Sequence, residues 1–98
     1  MKTIFNFFFF ILIFSFASIL NAQSDKAFRA YNNGNYQKAY KEWLKNEKES
    51  KSPIAQYNIG HLYRYGLGIE ENQELAFLWY LRAAEQNHIK ANRMIGLM

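Results

Sequence analysis

The sequence predicts an all-α fold, a short α-solenoid of antiparallel helix pairs that follows an N-terminal signal helix. Three observations carry this expectation. Ala55, Ile59 and Gly60 recur as Ala91, Ile95 and Gly96, each 36 residues on. A fixed period of that size marks a helical-repeat array, in which no unit buries its apolar face alone. Inside the period, two stretches with helical spacing of apolar residues are split by Gly66-Leu67-Gly68. The third observation is an apolar N-terminus that reads as a leader and not as part of the array.

That leader starts with the basic pair Met1-Lys2, and Ile4 to Leu20 is apolar apart from Asn6, Ser15 and Ser18. Seven of the nine Phe residues lie in it, so they contribute nothing to a mature core. A basic start, an apolar middle and a small-residue exit form the pattern of a secretory signal, with cleavage after Ala22 or after Ala17. The competing reading is a membrane anchor through residues 4–20. Its 17 residues sit at the short edge of the ~17–25 that a spanning helix needs. The expected location is therefore outside the cytoplasm, periplasmic or secreted in a bacterium.

Zero cysteines exclude disulfides, thiolate catalysis and thiolate-bound zinc. After cleavage at Ala22 the chain holds 11 basic and 8 acidic residues, a net +3 of mixed sign. Such a balance suits solubility and a loose attraction to anionic surfaces. Nucleic-acid binding would need clustered charge with stacking aromatics inside the cell, so it is not expected.

Taken in order, residues 23–52 read as a first helix pair. Ser24 is a suitable N-cap, and Ala27, Phe28, Ala30 and Tyr31 recur at helical spacing. Asn32-Asn33-Gly34-Asn35 ends that helix, since Gly and Asn tolerate the left-handed conformation of a helix stop. From Tyr36 a second helix carries Ala39, Tyr40, Trp43 and Leu44 as one apolar stripe. Its other face holds Lys38, Lys41, Lys45 and Lys48 with Glu42, Glu47 and Glu49, the pattern of a solvated face with a Lys38–Glu42 pair; the competing reading is a stripe that docks an acidic partner.

Residues 53–88 read as the full repeat. Pro53 falls in the first turn of the third helix, where its missing N–H costs nothing. The inner face is Ala55, Ile59, Leu62 and Tyr63. Gly60 in mid-helix costs about 1 kcal/mol against Ala, so a close approach by the next helix is expected there, with Ala83 and Ala84 as its small contact residues. Asn72 caps the fourth helix, and Asn87 serves as its left-handed stop. Residues 89–98 read as the first helix of a further, incomplete repeat, with Ala91, Met94, Ile95, Leu97 and Met98. Trp43 and Trp79 are expected to supply much of the core, and Trp79→Ala to cost about 3–5 kcal/mol in a domain of marginal stability.

The order Ala55-x-Tyr57-x-Ile59-Gly60-x-x-Tyr63-x-x-Gly66-x-Gly68-Ile69, continued by Asn72, Ala76, Trp79-Tyr80, Arg82-Ala83-Ala84 and Gln86, resembles a Sel-1-like repeat of the tetratricopeptide-like class. Ala30-Tyr31-x-x-Gly34-x-Tyr36-x-x-Ala39-x-x-x-Trp43 is similar to a looser leading pair of that class. Three positions depart from the pattern: Asn72 for the usual Asp, Leu75 for Lys and Asn87 for Gly. The resemblance implies a protein-binding scaffold and not a chemistry. It also implies an enzyme alternative, a cell-envelope hydrolase of the β-lactamase-like kind. With neither cysteines nor a nucleophile motif, this chain offers no residue to carry that activity over.

No catalytic, cofactor or metal constellation is legible. His61 and His88 fall on different elements without a carboxylate at ligand spacing, and zinc wants three or four ligands. Gly66-Leu67-Gly68 has neither the strand nor the further glycine of a phosphate loop.

Two surfaces remain. The resemblance places partners in the groove lined by the first helix of each pair. There Asn58, His61 and Tyr65, with Arg64 beside them, and the one-period equivalents Met94 and Leu97, make a candidate groove for an extended peptide. Phe77, Leu78 and Leu81 fall outside the packing set of the fourth helix and make a candidate apolar interface, for a dimer or for a neighbouring helix.

Overall fold

The computed structural model describes residues 25–98, and these form five helices and no strand. We label them α1 (25–32), α2 (Tyr36–Ser50), α3 (Pro53–Tyr65), α4 (Gln73–Glu85) and α5 (Ile89–Leu97). The signal helix, its two cleavage sites and the Ser24 cap lie outside the described residues.

Each junction has its own local cause. Gly34 adopts φ +78° after α1, and Asn35 Oδ1 accepts from Lys38 N at 3.3 Å to start α2. The end of α2 falls on Lys51 at φ 53°, a left-handed residue that carries a side chain. Ser52 Oγ then accepts from Ala55 N at 3.2 Å, with Pro53 in the first turn of α3. Gly66 at φ 64° closes α3, and Leu67 N donates back to Leu62 O at 2.9 Å. Asn72 Oδ1 caps α4 through Leu75 N at 3.0 Å. Asn87 at φ 65° ends it, as its residue type predicts.

Short connections fold neighbouring helices back on each other. Among α2 to α5, the most extensive packing is α3 on α4, with α2 on α3 and α4 on α5 next. One core joins Ala27 and Ala30 of α1, Ala39 and Trp43 of α2, and Ala55, Ile59 and Leu62 of α3. A second joins Ala76, Tyr80 and Ala83 of α4 to Ala91 of α5. Tyr63 packs against both cores and ties them together.

Gly60 explains how α3 and α4 come so close. A Cβ at this position would stand 2.8 Å from the Tyr80 ring and 3.2 Å from Ala76 O. The close approach expected from the sequence is therefore present, but its partners are Tyr80 and Ala76 and not Ala83 and Ala84. Gly68 plays the same part between the α3–α4 turn and the first pair. A Cβ there would lie 2.8 Å from Tyr36 Cβ and Gln37 N.

Three further expectations need correction. Trp43 is 1 % exposed, but Trp79 is only half-buried, with the Arg82 guanidinium 4.5 Å from its ring centroid. Tyr80, fully buried, takes the place in the second core that the indole was expected to fill. Glu47, assigned to a solvated face, is buried and accepts from Gln56 Nε2 at 3.4 Å. It also pairs with Lys51 at 3.8 Å, whereas Lys38 and Glu42, both among the described residues, do not pair with each other.

Candidate functional site

The first helices of the successive pairs, α1, α3 and α5, share one face, and α3 sits in its middle. Tyr57, His61 and Tyr65 follow one another at i, i+4 and i+8, which stacks their side chains in a single column along α3. The His61 ring lies edge-on to Tyr65 at 4.7 Å between centroids and tilted against Tyr57 at 6.4 Å. From α1, Tyr31 comes within 6.2 Å of the same imidazole, and its hydroxyl is 3.3 Å from His61 Nε2. From the start of α5, the His88 ring stacks on Tyr57 at 4.9 Å.

His88 is fixed by its own helix. Its Nδ1 accepts from Ala91 N at 3.2 Å and so caps α5. That bond keeps Nδ1 unprotonated and places the ring proton on Nε2. Burial holds the pKa of His88 below its ordinary value, and the charge of Lys90 lowers it further. His61 is shifted in the same direction, by burial first and then by Arg64. Both rings are therefore neutral near pH 7 and meet a ligand as aromatic, hydrogen-bonding surfaces and not as cations.

Under the column lies Tyr80 of α4, whose ring centroid is 5.5 Å from that of Tyr57. Burial pushes its hydroxyl up to about 12, with Tyr57 adding to the shift and Arg64 opposing it. Arg64 itself reaches Met94 Sδ at 4.0 Å and stands 5.6 Å from the Tyr65 ring centroid. Beside the column, Phe28, Ile54, Tyr57, Asn58, His88 and Ile89 line a cleft of about 500 Å³. Aromatic and aliphatic walls with a few polar edges are the usual make-up of a recognition cleft.

The structure thus brings together four of the six groove residues read from the sequence: His61, Arg64, Tyr65 and Met94. Asn58 lines the neighbouring cleft and donates to Ile54 O of its own helix at 2.9 Å. Leu97 stands 69 % exposed on the last turn of α5, apart from the ring contacts. Sequence reasoning missed Tyr31, Tyr57 and His88 as members of this face. The four-residue spacing of Tyr57, His61 and Tyr65 was the available signal. The contributions of Tyr31 and His88 come only from helix packing.

The second sequence-predicted surface lies on α4. Phe77, Leu78 and Leu81 are 36, 50 and 36 % exposed. Phe77 and Leu78 join Gln73, Glu74 and Met98 around a shallow depression of about 570 Å³. Among the described residues, no group of three His, Asp or Glu is placed to hold a metal ion.

The long-range polar links fit a repeat unit. Gln86 Nε2 donates to Gln56 Oε1 and to Lys51 O, each at 2.8 Å, so the end of α4 is tied to the start of α3. Asn72 N donates to Tyr63 O at 2.9 Å and ties the loop before α4 to α3. The same stretch, residues 53–88, matches the family model of the Sel1 repeat. Residues 53–88, formed by α3 and α4 and the junction into α5, are therefore similar to a Sel1 repeat, a helical repeat that generally mediates protein–protein interaction.

Proposed function

We propose that the chain is an exported binding module that holds an extended peptide segment of a partner protein against the α1–α3–α5 face. The observation that carries this reading is the ring column Tyr57–His61–Tyr65, flanked by Tyr31 and His88. Rings with hydroxyl and imidazole edges give a peptide both contact area and hydrogen-bond partners at low side-chain entropy cost. Selecting peptides from a random library against the full chain, followed by His61→Ala with Tyr65→Ala, tests it. The double variant should lose at least ten-fold in affinity for the selected peptides, and unchanged affinity would remove the groove from consideration.

Export rests on the basic start and apolar run of residues 1–22. N-terminal sequencing of the protein from its natural host separates cleavage at Ala22 or Ala17 from an anchor through residues 4–20.

A second reading concerns self-association. Exposed Phe77, Leu78 and Leu81 favour an apolar contact between two copies. Sedimentation that gives a monomer mass at every concentration would dismiss it.

A further inference from the structure

Outside the ring face, a second cleft opens between α1 and α2, and its chemistry is of another kind. It measures about 470 Å³ and is lined by Lys26, Arg29 and Lys38, with Asn33 and Asn35 between them and Glu42 as its one carboxylate. The three cations come from two helices. Lys26, Arg29 and Asn33 recur at i, i+3 and i+7 along α1 and just past its end, and Asn35, Lys38 and Glu42 do the same from the N-cap of α2 into that helix. Packing of the first pair therefore sets two polar stripes facing one space.

The charge of the whole described chain converges on the same pair. Residues 25–51 hold seven Lys and Arg against four Asp and Glu, whereas residues 52–98 hold four of each. All of the net positive charge thus belongs to α1, α2 and the residue that ends α2. From Lys38 the exposed series Lys41, Lys45 and Lys48 runs away along α2, extending the positive field beyond the cleft.

We propose that the α1–α2 cleft is a binding site for a phosphate-bearing anion, held by Lys26, Arg29 and Lys38. A phosphate group offers several acceptor oxygens, matching a guanidinium fork, two ammonium groups and the Asn33 amide. Glu42 opposes the anion and limits the affinity. The site is separate from the peptide face, so the two readings stand or fall independently.

The test titrates the full chain, kept in a non-ionic detergent, with inorganic phosphate and follows backbone amide resonances. Saturable shifts are expected at Lys26, Arg29 and Lys38. The triple variant K26Q/R29Q/K38Q should weaken binding at least ten-fold, while E42Q should tighten it two- to three-fold. K90Q/R93Q, which removes two cations from α5, should leave it unchanged. All of these are exposed or half-exposed positions, and an unchanged thermal midpoint confirms that each variant folds.

Mixed micelles of the same detergent with phosphatidylglycerol distinguish the sources of the phosphate. If they displace inorganic phosphate from the chain but not from the triple variant, the ligand is a lipid headgroup; if they leave it bound, the ligand is a free phosphate. Absence of saturable shifts, or an equal loss in K90Q/R93Q, overturns the site.

Discussion

The two helix pairs of this molecule reach similar packing by different means. In the first pair, one large indole does most of the filling. Trp43 is 1 % exposed and meets Phe28 edge-on at 5.5 Å and Tyr31 at 5.9 Å. In the second pair, filling is achieved by removing a side chain. Gly60 lets α3 and α4 approach until the Tyr80 ring occupies the space of the missing Cβ. The surfaces diverge as well, since the first pair carries the net positive charge and the second is balanced. The difference shows that helix pairs of one chain can be packed by a large side chain or by the absence of one, and that neither way fixes the charge of the outer face.

Replacing the large ring should show the largest effect. Trp43→Ala is expected to cost about 3–5 kcal/mol, read as a drop in the denaturant midpoint. Trp79→Ala, at a half-buried position, should cost only about 1–2 kcal/mol. Equal losses would mean that the two indoles carry the core alike, as the sequence by itself implied.

Gly60 sharpens the comparison from the other side. Gly60→Ala gains about 1 kcal/mol of helix propensity, but its Cβ drives into the ring of a fully buried tyrosine. The net result should be a loss of about 1–3 kcal/mol, as for other overpacked cores. Gly96 is a control because a Cβ there meets nothing within 4 Å. Gly96→Ala should be neutral or stabilising by up to about 1 kcal/mol. Thermal melts of the two variants should move in opposite directions.

The polar tie comes next. Gln86→Ala removes the two bonds to Gln56 and Lys51 and should cost about 1–2 kcal/mol. The effect belongs to the α3–α4 unit, so hydrogen exchange should quicken at the start of α3 before it does in α1.

Acid should loosen the ring face without unfolding the first pair. His61 and His88 both have folded pKa values below the ordinary 6.5, so protonation favours the unfolded chain. Their contribution to stability is complete above pH 6.5 and declines as the pH falls from there toward the lowered folded values. The thermal midpoint should drop between pH 7.5 and 5, and His61→Gln with His88→Gln should flatten that part of the profile. The smallest effect is expected at Asn87, at φ 65°. Asn87→Gly should stabilise by up to about 1 kcal/mol, because Gly has no steric cost in the left-handed region.

Much of this was legible because it is local. Asn72 at a cap, Pro53 in a first turn, and Gly66 and Asn87 at helix stops each depend on backbone groups within a few residues. Gly60 announced a close contact through its poor helix propensity. What met it was not legible, since Ala83, Ala84 and Tyr80 are all inward-facing candidates until the rotation of α4 is known. Glu47 was misplaced for the same reason. A glutamate among lysines reads as solvated, and only the packing of Gln56 against the end of α2 buries it.

The binding face shows the same division. His61, Tyr65 and Arg64 lie on one helix, and their common surface follows from 3.6 residues per turn. Tyr31 arrives from 30 positions before His61 and His88 from 27 positions after it. The sequence by itself determined the helices, their ends and the repeat, because helix periodicity and capping act over one or two turns. The tertiary structure decided which rings meet around His61, which tyrosine fills the space above Gly60, and that two polar stripes close into a basic cleft. Those depend on how the helices are rotated and spaced against one another, and that geometry is set by the packing of all their side chains together.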